Sequence, residues 1–152
     1  MDLILWRHAE AEPGEVDLQR ALTARGQKQA RKMGGWLDRH LPDKVRILCS
    51  PAVRTVQTAE ALGRKFKVMP ELAPDAVPAA LLSAAHWPNA REPVLIIGHQ
   101  PTLGQLAALL IAGSELPWSI RKGSVWWISQ HEDGDGSGNF LRAVMTPELV
   151  SK

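Results

Sequence analysis

The sequence contains only one cysteine, Cys49, among its 152 residues. A single thiol excludes an internal disulfide framework and a cysteine-based zinc cluster, and it favours a reducing compartment. Long apolar runs are also absent, since none approaches the roughly 20 residues that cross a bilayer. The first apolar segment begins at residue 3 after Asp2, without the charged leader and apolar core of a signal peptide. We therefore expect a cytoplasmic protein that does not contact a membrane.

Neither sign of charge dominates the composition. The chain carries 18 basic and 16 acidic side chains, for a formal net charge of +2. This balance favours neither nucleic-acid binding nor anchoring to a membrane through a basic patch. The length suits a single domain over residues 1–152, with a sheet covered by helices and a sizeable core.

Three short apolar segments each run directly into polar residues of chemical interest. Such runs predict buried strands of a parallel sheet. Because parallel strands end at the same edge of a sheet, we expect the residues that follow them to lie close together. Taken singly, an arginine here is more often solvated and a histidine more often structural. The segments and the residues after them are Leu3–Trp6 with Arg7-His8, Val45–Cys49 with Ser50-Pro51 and Arg54, and Val94–Ile97 with Gly98-His99.

Helical patterns alternate with these strands and predict the fold class. Thr23 predicts the N-cap of a first helix, and Ser50-Pro51 predicts the start of a second. Gly34-Gly35 in the first helix is compatible with close packing against the sheet. Two late strands, Ser124–Ile128 and Phe140–Val144, predict a hairpin. We expect a three-layer α/β/α fold with a mainly parallel central sheet and a C-terminal antiparallel hairpin.

No metal or other cofactor is expected. The loop 133–139 imitates the ligand spacing of a calcium loop, but Val144 stands where the closing glutamate should be and the flanks are strands. Two histidines without a third good ligand in register fall short of a zinc site.

The side chains at the three strand ends suit a phosphoryl group. Guanidinium groups match its oxygens in bidentate fashion, and a neutral imidazole nitrogen can attack phosphorus in line. Arg54 is placed in the first turn of a helix, where cations are normally disfavoured. An anion between Arg54 and the backbone N–H groups would explain that placement. The arginines would supply the positive charge that magnesium supplies in other phosphoryl-transfer sites.

These residues resemble the histidine phosphatase superfamily, which has the phosphoglycerate mutase-like fold. The short length makes the chain more similar to the SixA-type phosphohistidine phosphatases than to the larger branches. The resemblance covers nearly the whole chain and is weakest from Lys67 to Glu92. The segments that carry it are Arg7-His8, Arg20-Ala21-Leu22-Thr23, Ser50-Pro51 with Arg54, and Gly98-His99-Gln100-Pro101-Thr102-Leu103.

The resemblance implies a phosphatase that passes through a phosphohistidine intermediate on His8. Arg7 and Arg54 would hold the phosphoryl oxygens. His99 would donate to the same group in the transition state, and Arg20 would add a further contact. The implied substrate is a phosphorylated protein or a small phosphorylated molecule, and the implied setting is signal transduction. Because His8 must attack as a neutral ring, its other nitrogen should donate to a backbone carbonyl or a similar acceptor.

Two features depart from the family pattern. Ala9 stands where glycine usually follows the histidine, and no carboxylic acid is evident that would protonate the leaving group. Glu71 and Asp75 are the only candidates for that acid between residues 67 and 93. A phosphorylated imidazole that is protonated on its far nitrogen leaves as a neutral amine and has little need of such a donor, so the departure favours phosphohistidine.

Four other interpretations compete with this one. A phosphatase of small phosphoesters or nucleotides would use the same residues, whereas a mutase would need a shielded site that this short chain does not offer. A phosphate-binding module without turnover would need the arginines but not both His8 and His99. A cysteine phosphatase built on Cys49 fails because the spacing from Cys49 to Arg54 is too short by one residue.

Overall fold

The computed structural model describes residues 1–131 and 138–151. No helix in these ranges is long and apolar enough to cross a membrane. The strands are β1 Asp2–Arg7, β2 Arg46–Cys49, β3 Lys67–Val68, β4 Val94–Gly98, β5 Val125–Gln130 and β6 Asn139–Met145. The α-helices are α1 Ala24–His40, α2 Val53–Glu60, α3 Pro78–Ala85 and α4 Thr102–Ala112. Short 3-10 helices span Asp17–Gln19, Pro70–Leu72 and Pro147–Leu149.

The six strands form one sheet in the order β3-β2-β4-β1-β5-β6. β1 is parallel to β4, with Arg7 opposite Gly98, and β2 is parallel to β4, with Cys49 opposite Ile97. β5 pairs antiparallel with β1, and β6 pairs antiparallel with β5. The predicted parallel core and C-terminal hairpin are therefore confirmed. The calcium-like segment 133–139 lies largely outside the described residues, and its interpretation stays a prediction.

Apolar side chains cover both faces of the sheet, because alternate residues of a strand point to opposite faces. Ile4 and Trp6 of β1 pack with residues of α1 and α2. Leu3 and Leu5 pack with residues of α3 and α4 on the other face. All four side chains are fully buried. The three-layer arrangement is confirmed, and β1 holds the residues that follow it in a fixed position.

Helix α1 begins where its cap predicts, but its glycines pack differently from expectation. Thr23 Oγ1 accepts a hydrogen bond from Gly26 N at 2.9 Å. Gly34 does permit a close approach, yet its neighbour is Ala61, just after α2, and not the sheet. A Cβ at residue 34 would lie 2.5 Å from the Ala61 carbonyl oxygen. The expected contact with the sheet was wrong because α1 and α2 share one face of it.

The start of α2 differs by two residues from the prediction. The helix begins at Val53 with Ala52 at the N-cap, so Ser50 and Pro51 lie before it. Ser50 Oγ accepts a hydrogen bond from Ala52 N at 3.2 Å. The hydroxyl therefore stabilises the turn between β2 and α2, and the same oxygen reaches across to the neighbouring strand end.

Candidate active site

Four of the predicted site residues lie together at the carboxyl edge of the sheet. Arg7 ends β1 and His8 follows it, while His99 follows β4. Arg54 lies in the first turn of α2. The ring centroids of His8 and His99 are 5.3 Å apart. The backbone N–H of His8 donates to the Gly98 carbonyl oxygen at 3.2 Å, which extends the pairing of β1 with β4 into the site.

His8 is buried and held in one tautomer. Its Nδ1 lies 2.7 Å from the Ala9 carbonyl oxygen. A carbonyl oxygen only accepts hydrogen bonds, so Nδ1 carries the proton and Nε2 carries the lone pair. Burial lowers the pKa of His8 to about 4 against the opposing effect of the Ala9 carbonyl, and the Arg54 and Arg7 cations add to the lowering. The ring is therefore neutral at pH 7, with a nitrogen available for attack.

The packing of Ala9 explains how alanine can stand where the family usually has glycine. Its side chain is fully buried and packs in a small cluster with Leu22 and Ala30. Its backbone N–H donates to Thr58 Oγ1 at 3.1 Å. The methyl group thus belongs to the core beside α1, while the backbone of the same residue orients the His8 ring.

His99 is held by the turn that follows β2. Its Nε2 lies 2.7 Å from Ser50 Oγ. Its Nδ1 is buried and has no hydrogen-bond partner among the described residues. Burial lowers the pKa of His99 to about 3, and the His8 ring and Arg54 add to the effect. Both imidazoles of the site are therefore neutral at pH 7.

Arg7 is fixed by a contact from outside the parallel core. Its Nη1 donates to the Ile120 carbonyl oxygen at 2.9 Å. Its backbone N–H donates to the carbonyl oxygen of Ser124, just before β5, at 3.1 Å. Burial lowers the pKa of Arg7, but guanidinium keeps its charge in proteins. Arg7 thus presents a fixed positive charge beside His8.

Asp17 connects the other two arginines. Arg54 is only 4% exposed. Its Nη1 donates to the Asp17 carbonyl oxygen at 2.8 Å, and its Nη2 donates to Asp17 Oδ2 at 3.0 Å. Arg20 donates from Nη1 to Asp17 Oδ1 at 3.0 Å and from Nε to the Glu12 carbonyl oxygen at 2.8 Å. Hydrogen bonds from Arg20 and Arg54 hold the pKa of Asp17 below its usual range. The structure therefore brings Arg20 next to Arg54.

The sequence prediction omits two contributors to this geometry, Asp17 and the Ile120 carbonyl, and gives a third, Ser50, a different role. Asp17 lies in an exposed 3-10 helix and carries no pattern that would identify it. Ser50 was assigned to a helix cap and not to a contact with His99. The Ile120 carbonyl belongs to backbone, which a sequence motif does not reveal.

The two candidate acids lie exposed between β3 and α3. Glu71 is exposed and lines a surface cavity with Arg46, Lys67 and His86. Asp75 is exposed on the loop whose next residue, Ala76, accepts a hydrogen bond from Thr102 at 2.6 Å through its carbonyl oxygen. Within the described part of the chain, neither carboxylate forms a hydrogen bond with His8 or His99.

Cys49 is unsuited to nucleophilic attack. The side chain is fully buried in the core under α1 and α2. Burial raises the pKa of its thiol to about 12, so the reactive thiolate is not populated at pH 7. The geometry gives no support to a cysteine phosphatase.

The electrostatics of the site favour an anion. Guanidinium groups of Arg7, Arg54 and Arg20 surround two neutral imidazoles, so a metal cation would meet like charge. A phosphoryl group would instead meet donors on several sides. The class of chemistry that fits this arrangement is phosphoryl transfer to a histidine nitrogen.

Comparison with known proteins gives the family. Residues 3–76 match the sequence profile of the histidine phosphatase superfamily (branch 1). The phosphohistidine phosphatase SixA of Escherichia coli (strain K12) is 31% identical over 150 residues, which cover 92% of this chain and 92% of that protein. The phosphohistidine phosphatase SixA homolog of Haemophilus influenzae is 31% identical over 126 residues, covering 72% of this chain and 77% of that protein.

A solved structure agrees with these sequence matches. The protein histidine phosphatase SixA complexed with tungstate superimposes with a TM-score of 0.79 and 28% identity, covering 99% of this chain and 100% of that one. The chain belongs to the histidine phosphatase superfamily, and it is a phosphatase.

Proposed function

We propose that the chain hydrolyses phosphohistidine on a protein through a phosphorylated intermediate on His8. The observation that carries this proposal is the Nδ1 hydrogen bond of His8 to the Ala9 carbonyl, which leaves Nε2 unprotonated beside Arg7 and Arg54. The neutral ring, with its pKa lowered to about 4, supports attack at physiological pH.

In the first step, the Nε2 lone pair of His8 forms a bond to phosphorus as the bond to the substrate imidazole breaks. The substrate ring is already protonated on its far nitrogen, so it leaves as a neutral imidazole. In the second step, water attacks phosphorus and the bond to Nε2 breaks. His8 regains its lone pair, Nδ1 keeps its proton, and the proton lost by water passes to orthophosphate or solvent.

The arginines and His99 would contact the phosphoryl oxygens. Arg7 and Arg54 hold the equatorial oxygens, where charge is largest as the bonds change. Ser50 Oγ accepts a hydrogen bond from Ala52 N, so its hydroxyl proton is free to donate a hydrogen bond to His99 Nε2. That arrangement leaves the proton of His99 on Nδ1, where it is available to a phosphoryl oxygen. Arg20 adds a further cation, aligned with Arg54 by Asp17.

Two points support phosphohistidine as the substrate class over small phosphoesters. Two relatives, which match over 92% and 72% of the chain, are named phosphohistidine phosphatase SixA and phosphohistidine phosphatase SixA homolog. Among the described residues, neither Glu71 nor Asp75 forms a hydrogen bond with His8 or His99, which suits a leaving group that needs no protonation. The single buried cysteine supports a reducing compartment, and the substrate class supports a place in signal transduction.

The test measures the initial rate of phosphate release from a histidine-phosphorylated carrier protein beside a generic aryl phosphate. We expect fast release from the carrier by the wild type and by Cys49→Ser, and none by His8→Ala. His40→Ala is the matched control, because His40 Nδ1 also donates to a backbone carbonyl oxygen, that of Trp36 at 2.8 Å, yet its ring lies exposed at the C-terminal end of α1. Release from the aryl phosphate alone would reassign the substrate to small esters, and full activity of His8→Ala would exclude the mechanism.

A further inference from the structure

A basic groove runs over the surface from Arg7 along the first half of α1. It consists of two adjoining cavities of about 320 and 470 Å³, which share Arg25, Gln29 and Glu148 in their linings. The smaller cavity reaches Arg7 and so opens on the site. The outer cations of the groove are Arg25, Lys28, Arg31, Lys32, Arg121 and Lys122.

The groove concentrates positive charge far beyond the average of the chain. Its lining holds seven cationic side chains, including Arg7, against the carboxylates of Glu10 and Glu148. The whole chain has a net charge of only +2. Among residues 1–131 and 138–151, none of the six outer cations lies within 4.0 Å of a carboxylate oxygen. A surface of this kind attracts an anionic partner.

The two carboxylates of the groove are already engaged. Glu10 Oε2 accepts a hydrogen bond from Thr23 Oγ1 at 2.9 Å. A hydrogen bond from Thr146 lowers the pKa of Glu148, and the charges of Arg121 and Arg25 add to that effect. These carboxylates therefore offset only part of the positive charge.

A single phosphoryl group does not require so many cations. Arg7, Arg54 and Arg20 already surround the two imidazoles, and the outer cations extend away from them along α1. A helix rises about 1.5 Å per residue, so the row from Arg25 to Lys32 spans roughly 10 Å. An extended peptide covers that distance with about three residues. The groove is therefore long enough to bind the residues that flank a phosphorylated side chain, in addition to the phosphoryl group itself.

We propose that this groove docks an acidic segment of the protein substrate, with Glu or Asp residues flanking the phosphohistidine that enters the site. The inference rests on the proposed function and adds to it a preference for substrate sequence. Charges at the edge of a binding surface act mainly on association and its salt dependence. The groove should therefore lower KM for an acidic substrate while kcat stays the same.

The test uses two synthetic peptides that contain one phosphohistidine, flanked on each side by three Glu residues or by three Gln residues. We expect the KM of the wild type to be about tenfold lower for the Glu peptide at low salt, with the difference shrinking in 0.5 M NaCl. Lys28→Glu with Arg31→Glu should abolish the preference and leave aryl phosphate hydrolysis unchanged.

The matched control is Lys44→Glu with Lys65→Glu, which changes the net charge equally at exposed residues outside the groove. This variant should retain the preference. Equal KM values for the two peptides, or equal effects of the two double variants, would overturn the groove assignment alone. Hydrolysis of neither peptide would overturn the proposed function and the groove assignment with it. Tighter binding of a duplex DNA oligonucleotide than of the Glu peptide would reassign the groove to nucleic acid.

Discussion

Asp17 binds Arg54 through two groups at once, its backbone carbonyl at 2.8 Å and its carboxylate at 3.0 Å. The Asp17 side chain is 54% exposed, whereas that of Arg54 is 5% exposed. Because the other carboxylate oxygen binds Arg20, one exposed residue aligns two guanidinium groups. The pair is exposed only on the Asp17 side, and it fixes the geometry of the buried Arg54 guanidinium.

We predict that Asp17→Ala lowers kcat/KM for a phosphohistidine peptide by about tenfold, because small displacements of a positioned group are costly in rate. The free energy of unfolding should fall by roughly 1–3 kcal/mol, because the buried Arg54 guanidinium loses a hydrogen-bond acceptor. Asp17→Asn should be intermediate, since it keeps one acceptor oxygen. The control is Asp38→Ala, which removes a similarly exposed carboxylate that binds Arg64 at 2.9 Å. Equal kcat/KM for Asp17→Ala and Asp38→Ala would contradict the prediction.

The protonation of the two site histidines can be followed directly. Burial lowers the pKa of His8 to about 4 and that of His99 to about 3. We predict that neither ring takes up a proton between pH 7 and pH 5. The measurement is an NMR titration of ¹⁵N-labelled histidine, with the signals assigned through His8→Asn and His99→Asn. A midpoint near 6.5 for either ring would show that the ring is solvated and not buried.

The same pKa values predict how stability depends on pH. The unfolded chain protonates His8 and His99 near pH 6.5, whereas the folded chain does so only near pH 4 and pH 3. Between these values the unfolded state binds more protons, so their contribution is complete above pH 6.5 and is lost as the pH falls. We expect losses of up to about 1.4 kcal/mol per pH unit for each ring. Urea unfolding at pH 7, 6 and 5 measures the slope, which His99→Asn should reduce.

Cys49 should be inert in the folded protein. The thiol is buried and its pKa is raised to about 12. We predict that iodoacetamide at pH 8 fails to modify the native protein over hours, and that the reaction proceeds once urea unfolds it. Mass spectrometry measures the modification, and phosphatase assays of the same samples should show full activity before unfolding. Rapid alkylation with loss of activity would show that Cys49 is accessible in the native protein and belongs to the active site.

The adjacent glycines of α1 should respond oppositely to alanine. A Cβ at Gly34 would lie 2.5 Å from the Ala61 carbonyl oxygen, so Gly34→Ala should destabilise the protein by roughly 1–3 kcal/mol. At Gly35 the nearest atom is the end of the Arg39 side chain at 3.5 Å. Gly35→Ala should therefore stabilise the helix by up to about 1 kcal/mol. Thermal or urea unfolding of the two variants measures both changes. A Gly34→Ala variant more stable than the wild type would refute the close packing of α1 against Ala61.

The sequence was sufficient to predict where the main site residues meet. Buried apolar strands fix their own register, and residues placed immediately after them inherit a position at the sheet edge, as His8 and His99 show. Contacts between exposed segments that lie far apart in the chain could not be predicted in this way. Asp17 reaches Arg54 across 37 residues from an exposed 3-10 helix, where neither periodicity nor burial marks a residue.

Sequence rules for helix caps also gave an incomplete result where one side chain contacts two other residues. Ser50 was expected to cap a helix, and its hydroxyl does accept a backbone N–H, but from the turn before α2. The same oxygen lies 2.7 Å from His99, which only the pairing of β2 with β4 brings near. Arg121 likewise joins the cations of α1 only because β5 lies beside β1.

His8 follows a strand that is buried on both faces and paired on both sides, by β4 and by β5. No hinge separates the proposed nucleophile from the most stable part of the sheet. The position of His8 is therefore insensitive to fraying of loops and termini, whereas Arg54 depends on Asp17 in an exposed 3-10 helix. In rising urea, a loss of activity that precedes the loss of a spectroscopic signal from the core would report loosening of the Asp17 segment, and a loss that coincides with it would report opening of the sheet.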